Sequence, residues 1–238
     1  MTDRHRGPDR GPRDAPGPSA ALGAGAALFN ERRFLAARVA WGRGRRPAPD
    51  ERDGDADSAG ETGPGDGERD RADERLLRAL AATAAASHRA ADGDRAGAAA
   101  EADDAAAALR GVADVRGVAL APAREWAERL AADPGGADPA SAPRIRVGGE
   151  APTVDGLSLA AAGVAAPALA TAGEPGDPET LATAAAFARE ERGTGRTEFA
   201  ELLFAYLRTP DARPQVAARL GDHVDREERK RRDVDGLF

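Results

Sequence analysis

Apolar positions along this chain recur mainly at helical spacing. Ser19 is placed to cap a first helix that runs through Leu22, Ala26 and Phe29 to Asn30. A second puts Phe34, Ala37, Val39 and Trp41 on one face and ends near Gly42 and Gly44, with Pro47 beyond. The pattern resumes at Leu76, Leu77 and Leu80 and stops at Asp92-Gly93-Asp94. Arg95 to Arg110 forms an Ala-rich helix closed by Gly111, and Ala121-Pro122 opens another through Trp126 and Leu130. Four more helices follow. Asp155 is placed to cap the first, through Leu159 and Leu169, and Asp177-Pro178 opens the second, through Leu181, Ala184, Ala185 and Ala188. Phe199, Leu202, Leu203, Tyr206 and Leu207 carry the third, the strongest helical spacing in the chain. The fourth opens at Thr209-Pro210 with Val216, Leu220 and Val224 on its face. Strand-like alternation occurs only at Arg144-Ile145-Arg146-Val147, where Gly148-Gly149 can turn and Ala151 to Val154 return, which predicts a short β-hairpin near 144–154.

The stretches between these patterns divide the chain. Residues 1–18 are charged and rich in Pro and Gly, and read as a disordered tail. Residues 47–70 are rich in Asp, Glu and Gly and read as a disordered acidic loop, while 133–143 has the composition of a linker. The expected fold is all-α with two small modules. Residues 19–132 form a helical bundle interrupted by the acidic loop, and 144–238 form a four-helix extension around Leu181, Phe199, Leu203, Tyr206 and Leu220.

Composition sharpens this picture. Hydrophobic residues make up 41% of the 238 residues but aromatics only 4%, so the core must be built from close-approaching alanine helices. With no cysteine there are no disulfides, thiolate nucleophiles or Cys-based metal sites. Residues 50–75 hold eleven acids against four arginines, which by itself equals the net charge of −7. The acidity therefore belongs to one segment. Scarce Lys, abundant Ala and Arg and the acid excess suggest a GC-rich genome of a salt-adapted organism. The first twenty residues form no apolar run, and the most apolar stretch, 157–172, contains Gly163 and Pro167 and is too short to span a bilayer. A cytoplasmic protein without a membrane partner is expected.

The segment Phe29-Asn30-Glu31-Arg32-Arg33-Phe34-Leu35-Ala36-Ala37-Arg38-Val39-Ala40-Trp41 resembles the signature of the domain of unknown function 309 family. There a Phe-Asn pair precedes an aromatic residue, then Glu-Ala-His-Glu, then Trp or Leu and a Glu. A second family helix, roughly Gly-Leu-Ile-Gln followed by small residues and a His, aligns with Ala79-Leu80-Ala81-Ala82-Thr83-Ala84-Ala85-Ala86-Ser87-His88. The resemblance covers about the first half of the chain, and the second half looks like the extension of haloarchaeal members. Packing positions are kept: Phe29, Asn30, Phe34, Ala37, Trp41, Leu80, Ala84 and His88. Polar positions are mostly replaced. Arg38 stands for the His, Val39 for an acid, Ala36 and Gly42 for Glu, and Ala82 for Gln. The resemblance implies an architecture, not a reaction.

Candidate chemistry is sparse. His88 is the best catalytic candidate, with Arg38 as its possible neighbour, although a core or rim histidine is the plainer reading. His223 and Glu227 lie one turn apart but lack a third ligand, and a solvated helix face is expected. Asp53-Gly54-Asp55-Ala56-Asp57 opens like a calcium loop but has Ser58 where Gly is needed and Pro64 where Glu is needed. Gly23-Ala24-Gly25 is half a dinucleotide fingerprint whose third Gly is Leu28. Gly156-Leu157-Ser158-Leu159-Ala160 is not a nucleophile elbow, and the only lysine, Lys230, belongs to no Walker motif. No cofactor and no metal are expected. In Arg226 to Arg232 two Glu offset five basic residues, which disfavours a nucleic-acid partner. Leu237-Phe238 would either fold back on the bundle or serve as a docking peptide. A non-enzymatic helical interaction or scaffold role is expected. The alternatives are an enzyme acting through His88 and Arg38, and nucleic-acid binding through the C-terminal arginines.

Overall fold

The computed structural model describes residues 17–44, 66–112, 116–192 and 194–235. The calcium-like loop, Leu237-Phe238 and most of the tail and acidic loop lie outside these residues. The described part is all-α. Its helices are α1 (Pro18–Asn30), α2 (Phe34–Arg43), α3 (Asp66–Ala91), α4 (Arg95–Arg110), α5 (Ala121–Ala132), α6 (Leu159–Thr171), α7 (Pro178–Glu190), α8 (Glu198–Arg208) and α9 (Arg213–Asp235). Helix α3 thus begins within the acidic stretch, earlier than the apolar pattern suggests.

Local chemistry explains most of the boundaries. Asp94 caps α4 by accepting from the Gly97 N–H at 3.0 Å, and Asp177 caps α7 by accepting from Thr180 N–H at 2.7 Å. That bond holds the Asp177 carboxyl below the usual carboxylate range. Two expected caps are corrected. Helix α1 starts at Pro18, and Ser19 lies inside it, accepting instead from Arg116 Nη1 at 2.6 Å. Helix α6 is capped by Ser158, whose hydroxyl accepts from Ala161 N–H at 3.3 Å, while Asp155 sits in a preceding 3-10 turn, Val154–Gly156.

Helices α1 to α5 pack in succession, with α3 also touching α1 and α5. Helix α6 takes α1 and α2 as partners, and it also packs with α7 and α8. Ala161, Ala162, Val164 to Ala168, Leu169 and Ala170 are all buried, as expected of a helix apolar on every side. Its glycine matters here. A Cβ on Gly163 would stand 3.0 Å from the Ala185 Cβ, so small residues set how closely α6 and α7 approach.

The predicted hairpin is corrected too. Gly148 and Gly149 do make the turn, at φ 61° and 86°. Among the described residues the only pairings are isolated antiparallel bridges, Val147 with Glu150 and Val147 with Val118. The groups that would extend a ladder are engaged elsewhere. Asn30 Nδ2 donates to Ile145 O and Pro152 O at 3.1 and 3.0 Å, and Asn30 Oδ1 accepts from Ile145 N–H at 2.7 Å. Pro152 has no N–H to give. Residues 133–143 are held as well. Asp133 accepts from Gly136 N–H at 2.9 Å, and Arg32 Nη2 donates to Ala140 O at 2.8 Å.

Candidate functional site

The corner between α1 and α2 carries the signature residues, and each has a packing or clamping task. Phe29 meets Phe34 edge-on with ring centres 5.0 Å apart, and Trp41 at 5.9 Å. Trp41 is 0% exposed, and its Nε1 donates to Leu22 O at 3.4 Å. A Cβ on Gly25 would collide with the Trp41 indole. The half fingerprint Gly23-Ala24-Gly25 therefore lies in helix α1, and Gly25 makes room for a ring. Ala37 and Leu80 are fully buried against the same core. Asn30 is the clamp on Ile145 and Pro152, and Glu31 Oε1 accepts from Val154 N–H at 3.2 Å.

The positions where the resemblance implies polar groups look different. Ala36 is buried, Val39 and Ala82 are half-buried, and Arg38 and Gly42 are exposed. His88 sits at the rim with 31% of its side chain exposed, and its Nε2 lies 3.4 Å from Asp92 Oδ2. The carboxylate at the helix end does reach it. No hydrogen bond or ion pair joins His88 to Arg38 among the described residues. One turn inward, the polar groups are satisfied: Thr83 Oγ1 donates to Ala79 O, Ser87 Oγ donates to Thr83 O, and Trp126 Nε1 donates to Ser87 Oγ at 3.0 Å.

Two polar joints have no local signature in the sequence. Asp73, whose side chain is 6% exposed, takes a bidentate pair from Arg116 Nε and Nη2, which raises the Arg116 guanidinium further above its ordinary range. Arg116 holds this pose at φ 57°. The second joint links the start of α2 to the start of α9 through Glu174. Glu174 Oε1 accepts from Arg33 Nη1 at 2.6 Å, and Glu174 Oε2 lies 2.8 Å from Nη1 of the buried Arg213. Arg213 also donates to Tyr206 O and Leu207 O, closing the C-terminus of α8. Tyr206 donates its hydroxyl to Pro175 O at 2.7 Å, and burial pushes its phenol up to about 12.

The turn from α7 to α8 and the second half of α9 enclose an open groove of about 600 Å³. His223 lies in it, 12% exposed, stacked edge-on against Phe199 with ring centres 6.1 Å apart. It is not on a solvated face. Its Nε2 is 3.3 Å from Glu198 Oε1, whereas Glu227 turns to Lys230 and Arg231. Arg231 covers the Phe187 ring at 4.1 Å and pairs with Glu190 at 2.6 Å. Among the described residues no three His, Asp or Glu side chains gather as a metal site, and no helix is long and apolar enough to cross a membrane. Against protein-family models, characterised proteins and solved structures, the chain finds no match.

Proposed function

We propose that this chain is a non-enzymatic helical interaction or scaffold module, on the architecture of the domain of unknown function 309 family with a C-terminal extension. The observation that carries it is the closed surrounding of Trp41. The indole is fully buried, its N–H is bonded, and Gly25 packs on its face, so the corner with the signature residues offers a substrate no room. What remains of the polar set faces outward and apart, as Arg38 and as His88 with Asp92. General acid–base work needs groups within hydrogen-bond reach of one substrate atom, and these two share no bond.

A protein partner is the ligand class this reading calls for. Purification of the full chain from its own cells at physiological salt, followed by size-exclusion with light scattering, tests it. The expected result is a stoichiometric complex with another protein; an inert monomer would contradict it. An enzyme acting through His88 requires that His88→Ala abolish a cellular function while sparing the melting temperature. Nucleic-acid binding through α9 requires an affinity that falls steeply with salt, against the acids interleaved there.

A further inference from the structure

We infer that the groove between the α7–α8 turn and α9 binds a small zwitterion of the α-amino-acid type, its ammonium on Glu191 and its carboxylate on Arg196 and Arg226. Glu191 stands at the C-cap of α7, where the helix dipole is negative and a carboxylate is disfavoured. Its Oε2 is buried and has no hydrogen-bond partner. A desolvated, unpaired carboxylate oxygen costs free energy, and because the Glu191 side chain lines the groove, its turning outward onto a bound cation would recover that cost. The groove also holds Arg196 and Arg226; Arg226 Nη1 lies 3.5 Å from His223 Nδ1, and neither arginine has a carboxylate partner among the described residues. The other acids lining the groove are engaged: Glu198 with His223, Glu201 with the Thr197 hydroxyl, and Glu227 with Lys230 and Arg231.

One carboxylate and two guanidinium groups, none in an ion pair among the described residues, select a ligand with both charges. Phe199 and the edge of His223 form an apolar floor that fits an aliphatic side chain. The cleft beside Arg116 differs in this respect, because its guanidinium is already satisfied by Asp73 and Ser19.

The test is an amide chemical-shift titration of the full chain with L-leucine, N-acetyl-L-leucine, L-leucinamide and the doubly capped N-acetyl-L-leucinamide. The expected result is saturable shifts at the α7–α8 turn and α9 with L-leucine at roughly millimolar affinity. Each singly capped analogue should bind about tenfold more weakly, as loss of one ion pair implies. Glu191→Gln should weaken L-leucine to the level of its N-acetyl form and leave the N-acetyl form unchanged. The double substitution Arg196→Gln with Arg226→Gln should do the same relative to leucinamide. Equal shifts from the doubly capped compound, no saturable shifts, or wild-type affinity in Glu191→Gln would overturn the proposal. So would a free-state structure in solution showing Arg196 closed onto Glu191.

Discussion

The α1–α2 corner and the α7–α9 groove differ in how many charged groups they leave unmet. At the first, the side chains that meet are aromatic or small, and the one amide, Asn30, has both its ends satisfied by a distant loop. At the second, a carboxylate oxygen is buried without a partner and two guanidinium groups have no carboxylate partner among the described residues. The first corner leaves one buried donor, Arg32 Nη1, without a partner, and is otherwise held by packing as a framework. A corner that leaves charges unmet stores free energy that a ligand can release. The difference teaches that the aromatic corner is held by packing, whereas unmet charge gathers in the groove.

The largest expected effects fall on the framework. Trp41→Ala should cost about 4 kcal/mol in a denaturant melt, because the cavity is lined by α1, α2 and Phe29 and cannot collapse easily. A loss near 1 kcal/mol would mean the corner is looser than described. Asn30→Ala should cost about 2–3 kcal/mol, since it orphans the Ile145 N–H and two carbonyls. Gly25→Ala should cost about 1–3 kcal/mol through overpacking against the indole.

The single tyrosine permits an intermediate test. The folded phenol is raised to about 12 from 10.0, chiefly by burial. A raised phenol stabilises the fold fully below pH 10, and that contribution is lost as pH climbs from 10 towards 12. Phenolate absorbance should therefore appear near pH 12 in the folded protein and near 10 in denaturant; coincident titrations would place Tyr206 at the surface. At the small end, Glu191→Gln should raise the ligand-free stability by about 0.5–1 kcal/mol, the reverse of an ordinary surface change. His88→Ala should stay within about 0.5 kcal/mol of the parent.

How much of this was legible in the sequence depended on the range of the interaction. Helices α4, α5 and α7 were bounded by Gly111, Asp133 and Asp177-Pro178, whose effects act within one turn. Helix α8 was legible from Phe199, Leu203 and Tyr206 because helical spacing is local. The choice between Ser158 and Asp155 as the cap was not, since it turns on backbone angles of the residues between them. The hairpin expected at 144–154 does not form a ladder because its groups are claimed by Asn30, 115 residues away in sequence. The Arg33–Glu174 contact spans 141 residues, and burial of His223 depends on Phe199 from another helix. Neither leaves a periodic trace. The unpaired Glu191 was invisible for the same reason: its state is defined by which cations fail to reach it.

The central claim, that the signature corner is a closed framework, is tested most directly by hydrogen exchange of the Trp41 indole N–H. A bonded indole on a fully packed core opens only with global unfolding. Its exchange free energy is predicted to equal the stability measured by denaturant, in step with the Trp126 indole. Exchange through a low-energy local opening, with Trp126 still protected, would show an accessible cleft and contradict the account.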